Sequence, residues 1–83
     1  MLIDQRFKPP VDKRDMRRLV RWAMAFYGVR YPELARRLQE IEVDITPKEL
    51  SARVNRGAFS AVFLVQIFMA LGADYIWIEQ LKV

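Results

Sequence analysis

Apolar residues recur at helical spacing through most of this chain. In residues 13–27, Met16, Leu19, Val20, Ala23 and either Phe26 or Tyr27 share one stripe, which predicts an amphipathic helix. Arg14, Arg17, Arg18 and Arg21 fall on another side of it. Asp12 is placed to cap its start, Asp15 puts a carboxylate where the helix dipole favours one, and Gly28 is a good stop. A second helix is predicted from Pro32, because proline's missing N–H costs nothing in a first turn. Its buried face is Leu34, Ala35, Leu38 and Ile41, with Arg36 and Arg37 pointing away. Residues 39–45 form a connector whose pattern does not show where that helix ends.

The third helix has the clearest start. Thr46 and Glu49 match a capping box, in which each side chain reaches the other's backbone N–H. Pro47 takes the first helical position, Ile45 and Leu50 are placed as a hydrophobic staple, and Gly57 closes the helix. A fourth helix follows, capped by Ser60, with Phe59 and Leu64 as its staple and Gly72 beyond its end. Residues 61–71 hold one polar side chain, Gln66. A helix apolar on every side must be covered on every side. In a chain this short, one side is expected to pack inside the monomer and the other against a second copy. The expected dimer interface is Phe63, Ile67 and Phe68, with Tyr75 and Trp77 from the tail. Residues 74–79 are aromatic and β-branched and fit either a short strand or a helical turn. Met16, Met24 and Met69 read as core fillers, and Trp22 and Trp77 as packing or interface residues.

The 83 residues allow one domain, with an N-terminal arm (1–11), a helical core (12–72) and a tail (73–83). A domain of this size is marginal, and disulfides, metals or association often stabilise such folds. There is no cysteine and no histidine, which leaves association. The absence of cysteine fits a reducing cytoplasm, the expected location. No signal peptide is visible, and the apolar run 58–73 falls short of the roughly 20 residues a membrane span needs. Enzymatic chemistry has little to work with: no histidine or cysteine serves as base or nucleophile, and no glycine-rich phosphate loop is present. Glu40, Glu42 and Asp44 read as a solvated connector rather than a cation site, which would need more carboxylates and a glycine at fixed spacing. No cofactor is expected.

The net charge is +4, unevenly placed. Residues 1–37 hold ten Lys/Arg against four acids, whereas residues 38–83 hold four against six. A basic excess in one part suggests an acidic partner such as nucleic acid, although a solvated basic face is the commoner meaning.

Glu33-Leu34-Ala35 in the second helix and Asn55-Arg56-Gly57 closing the third resemble the helix-turn-helix of Cro and the phage repressors, as does the apolar helix ending in Ala70-Leu71-Gly72. Tyr31 to Ala35, a long connector and Arg56-Gly57-Ala58-Phe59-Ser60 are similar to a narrower group, a family of small, uncharacterised bacterial proteins with a predicted helix-turn-helix. The match covers roughly residues 16–72. It implies an all-α fold of four or five helices, with a lengthened connector between helices two and three and either a helical or a short-strand C-terminal tail. The connector makes the spacing from Ala35 to Gly57 longer than in the compact repressor motif, so the standard angle between the two helices does not carry over.

If the third helix reads DNA, its outward residues do so. With Leu50 and Val54 turned inward, Lys48, Ala52, Asn55 and Arg56 face outward, with Ser51 and Arg53 at the margins. Asparagine can bond adenine at two points, arginine can bond guanine at two points, and lysine can hold a phosphate. Arg17, Arg18, Arg21, Arg36 and Arg37 are candidates for backbone contacts. The expected function is therefore a small dimeric regulator that binds double-stranded DNA. The competing expectation is a dimeric protein-interaction module that has the fold but binds no DNA.

Overall fold

The computed structural model describes residues 12–74 and 76. Within them lie four α-helices and no strand. They are α1 (Lys13–Tyr27), α2 (Tyr31–Glu40), α3 (Pro47–Arg56) and α4 (Ala61–Leu71). Of the predicted C-terminal segment, Asp74 and Ile76 are in neither helix nor strand, and Tyr75 and residues 77–83 lie outside the described residues, as does the arm 1–11.

The helix starts follow the predicted caps. The Asp12 carboxylate accepts from the Arg14 and Asp15 backbone N–H groups, and Asp15 reciprocates at the Asp12 N–H at 2.9 Å. Thr46 Oγ1 accepts from the Glu49 N–H at 3.1 Å, and Glu49 accepts from the Thr46 N–H at 3.0 Å. Ser60 Oγ accepts from the Phe63 N–H at 3.0 Å. Three helix ends share one closure, in which a left-handed residue lets the next N–H reach five residues back. Val29 donates to Met24, Val43 to Leu38 and Ala73 to Phe68. The left-handed residues are Gly28, Glu42 and Gly72. Glu42 is the one non-glycine among them, with φ at 66°. That turn ends α2 at Glu40, a boundary the sequence pattern had left open.

The four helices pack as a ring. α3 lies against both α1 and α2, and α4 lies against both as well. α1 and α2 do not pack backbone to backbone, and neither do α3 and α4. Val20, Leu34, Leu38, Leu50, Val54 and Ile67 are fully buried at the centre. Side chains of this kind contribute about 1.5–3 kcal/mol each by leaving water.

Several predicted faces shift. Met24, not Phe26 or Tyr27, completes the α1 core stripe, and Phe26 remains 66% exposed. Ile41 falls beyond the end of α2 and is exposed rather than buried. Met69 is on the surface and fills no core space. The largest correction concerns α4. Phe63, Ile67, Phe68, Ala70 and Leu71 are all buried within the monomer. Two flanking helices and the segments at its ends cover more of its circumference than the sequence suggested. Its open side is Val62 (66% exposed), Val65 (47%) and Met69 (60%). Among the described residues, no helix is long and apolar enough to cross a membrane.

Candidate nucleic-acid interface

The sequence of α3 divides it into an anchored face and an open one. Leu50 and Val54 are buried, one turn apart, between α1 and α2. Lys48, Ala52, Asn55 and Arg56 are exposed, and Ser51 is half-buried at the edge. The Asn55 side-chain amide donates to Ser51 Oγ at 3.3 Å, so the two predicted readers on that edge touch each other. Arg53 is committed elsewhere, with its guanidinium 4.7 Å from the centroid of the Phe63 ring. That cation–π contact bridges α3 to α4 where their backbones do not meet.

α1 joins this surface at the C-terminal end of α3. Gly57, buried, rests on the backbone of Lys13, with no room for a Cβ between them. One turn along α1, Arg17 Nη1 donates to the Asn55 carbonyl at 3.4 Å. A cation here also faces the negative end of the α3 dipole. Arg18 and Arg21 are exposed on the same helix. Arg14 is paired with Asp12 at 3.1 Å. Lys13 and Arg17 of α1 thus adjoin the C-terminal end of α3, a junction that sequence spacing alone did not bring together.

The two α2 arginines behave differently. Arg36 reaches Glu33 at 2.6 Å and Glu40 at 2.9 Å. Arg37 reaches the same Glu33 carboxylate at 2.9 Å and donates to the Ala70 carbonyl at 3.3 Å. Hydrogen bonds from Arg36 and then Arg37 hold the Glu33 carboxyl at a pKa of about 2, well below the ordinary carboxylate value. Arg37 therefore ties α2 to the end of α4 and does not point away as expected.

Of the predicted dimer residues, Phe63, Ile67 and Phe68 are enclosed by the monomer's own helices and are unavailable to a partner. Tyr75 and Trp77 lie outside the described residues. Among the described residues, the exposed large apolar side chains are Val62, Val65 and Met69 on α4, at i, i+3 and i+7 spacing, a separate aromatic group on α1, and Ile41 just beyond α2. In the aromatic group Trp22 stacks on Phe26 with ring centroids 5.0 Å apart, and Tyr27 meets Phe26 edge-on. Sequence reasoning read Trp22 as a packing or interface residue but missed its exposed partner Phe26 and the open side of α4, because an all-apolar helix carries no periodic signal for its outer side and Phe26 fitted the core stripe. The described residues contain no group of His, Cys, Asp and Glu able to hold a metal ion.

No curated protein and no solved structure matches the chain. A family model does, over residues 13–76, which takes in all four helices and their connections. The chain belongs to the family described as Domain of unknown function (DUF6471).

Proposed function

We propose that this protein is a small, helix-turn-helix-like DNA-binding regulator that presents α3 to duplex DNA. The observation that carries this reading is the open face of α3. Lys48, Ser51, Asn55 and Arg56 make no ion pair with any described residue, and the helix behind them is fixed by buried Leu50 and Val54. A rigid helix with an amide and a guanidinium at one end has the side chains that read adenine and guanine edges. The resemblance of Glu33-Leu34-Ala35 and Asn55-Arg56-Gly57 to the repressor motif supports it. Association through the Val62, Val65 and Met69 side of α4 accompanies this reading. α3 and α4 share no backbone contact, and the residues of this α4 side are distinct from those of the open α3 face.

A second reading is favoured by one observation, the exposed Trp22–Phe26 stack on α1. Exposed aromatics of this size anchor protein partners, so the domain would then be an interaction module that binds no DNA. Selection of bound sequences from a random duplex pool at near-physiological salt separates the two. Enrichment of a sequence, with affinity falling steeply as salt rises, supports the DNA reading. No binding to any duplex would remove it.

A further inference from the structure

We infer that the DNA phosphate backbone is held by α1, through Arg17 and Arg21 beside the tip of α3, and that α2 contributes no phosphate contact. This rests on the duplex-binding reading and specifies which helix partners α3 on the duplex.

Three observations converge on α1. First, the α2 arginines are internally neutralised. Glu33, Arg36, Arg37 and Glu40 form one connected set of ion pairs with no net charge. A neutral cluster projects little field toward a polyanion, and a phosphate approaching it would also approach two carboxylates. Second, α1 adjoins the exposed C-terminal end of α3. Gly57 rests on Lys13, and Arg17 reaches the Asn55 carbonyl, so the cationic side of α1 continues from the exposed end of α3. Third, Arg21 sits one turn beyond Arg17 and is exposed, with no hydrogen bond or ion pair to any described residue. Residues four apart share one helix face, so Arg17 and Arg21 line up along it. α1 holds Lys13, Arg14, Arg17, Arg18 and Arg21 against one acid, Asp15. With Arg14 engaged by the capping Asp12, Arg17 and Arg21 are the contacts assigned here.

Counterion release makes the assignment measurable. Each phosphate contact adds about 0.9 to the steepness of log affinity against log salt. The experiment measures binding of a labelled mixed-sequence duplex between about 50 and 200 mM salt. The proteins are the wild type, R21Q, R17Q/R21Q and E33Q/R36Q/R37Q/E40Q, the last of which leaves the net charge unchanged. The expected result is a slope smaller by about 1 for R21Q and by about 2 for R17Q/R21Q, with the wild-type slope kept by the α2 variant. Arg21 makes no hydrogen bond or ion pair with any described residue, so R21Q reports on binding even if loss of the Arg17 contact perturbs folding. Wild-type slopes in both α1 variants overturn the assignment while the DNA reading stands. So does an equal loss of slope in the α2 variant. Absence of wild-type binding to the duplex at all removes the reading and this assignment together, and leaves an acidic protein surface as the natural partner of α1.

Discussion

Gly57 closes α3 directly on the carbonyl of Lys13 in the first turn of α1. Its φ is +69°, and a Cβ built there would stand 2.8 Å from the Lys13 carbonyl carbon. The residue is needed both for left-handed backbone and for close approach. Gly28 shares the first requirement but not the second, since its φ is +68° and nothing lies within 4 Å of a built Cβ. Gly28→Ala is expected to cost about 1–2 kcal/mol, the usual penalty for a left-handed alanine. Gly57→Ala is expected to cost about 3 kcal/mol or more, because α3 must also move off α1. Urea denaturation of the two variants checks this, and equal losses would mean that the α1–α3 junction yields easily.

Thr46 opens the same helix. Its hydroxyl accepts from the Glu49 N–H while Glu49 accepts from the Thr46 N–H. Thr46→Ala removes the first bond and is expected to lower stability by about 1 kcal/mol. Thr46→Ser should keep most of it. A thermal melt showing no difference between Thr46→Ala and wild type would mean that the box contributes nothing beyond local geometry.

The Glu33 cluster gives the protein an acid dependence with a defined sign. Arg36 and Arg37 lower the Glu33 pKa to about 2. A carboxyl whose folded pKa is depressed stabilises the fold above its ordinary pKa. That contribution is lost as pH falls from about 4.5 toward about 2. Stability measured across this window should decline in wild type and decline less in Glu33→Gln. Solvent screening at this surface keeps the effect modest. An identical pH profile for the two proteins would show that the depressed pKa is not coupled to folding.

Much of this architecture is readable where several local signals agree. Thr46, Pro47, Glu49 and Gly57 each point to the same helix, and its bounds fall at Pro47 and Arg56. Glu42 shows the opposite case. It holds a left-handed turn usually given to glycine or asparagine, so nothing in its chemistry announces the end of α2. α4 fails for a different reason. With one polar residue in its length, it offers no contrast between inner and outer sides, and only the packing of α1 and α2 selects Val62, Val65 and Met69 as the open side. At the candidate site, the outward residues of α3 followed from helix geometry. The neutralisation of Arg36 and Arg37, and the junction of Arg17 with Asn55, depend on side-chain reach across elements that one-dimensional spacing does not encode.

The two sides of α4 are expected to respond differently to substitution. Ile67 is fully buried, so Ile67→Ala should cost about 2–5 kcal/mol through lost burial and a cavity. Met69 is 60% exposed, and Met69→Glu should change monomer stability by less than about 0.5 kcal/mol. If copies pair through this side, Met69→Glu places like charges in the interface and should abolish association while the fold persists. Sedimentation at micromolar concentration reads this directly. A wild-type protein that stays at the 9.8 kDa monomer mass would end the dimer proposal.

The reading of α3 is tested at its exposed end. Asn55 and Arg56 are exposed, and they stand where the helix tip meets the cationic side of α1. If they reach base edges, each replacement by alanine should cost about 1–3 kcal/mol in discrimination between the selected site and a site changed at the contacted base pair. Asn55→Ala keeps the backbone carbonyl that Arg17 uses, so the α1 junction should persist and nonspecific affinity should change little. Arg56→Ala also removes a charge and should lower the salt slope slightly as well as the discrimination. Arg21→Gln should show the reverse pattern, with weaker binding to every sequence and unchanged discrimination. These three profiles separate base reading from phosphate holding on one small surface. If Asn55→Ala and Arg56→Ala weaken selected and altered sites equally, α3 contributes charge to a nonspecific interface and does not read sequence.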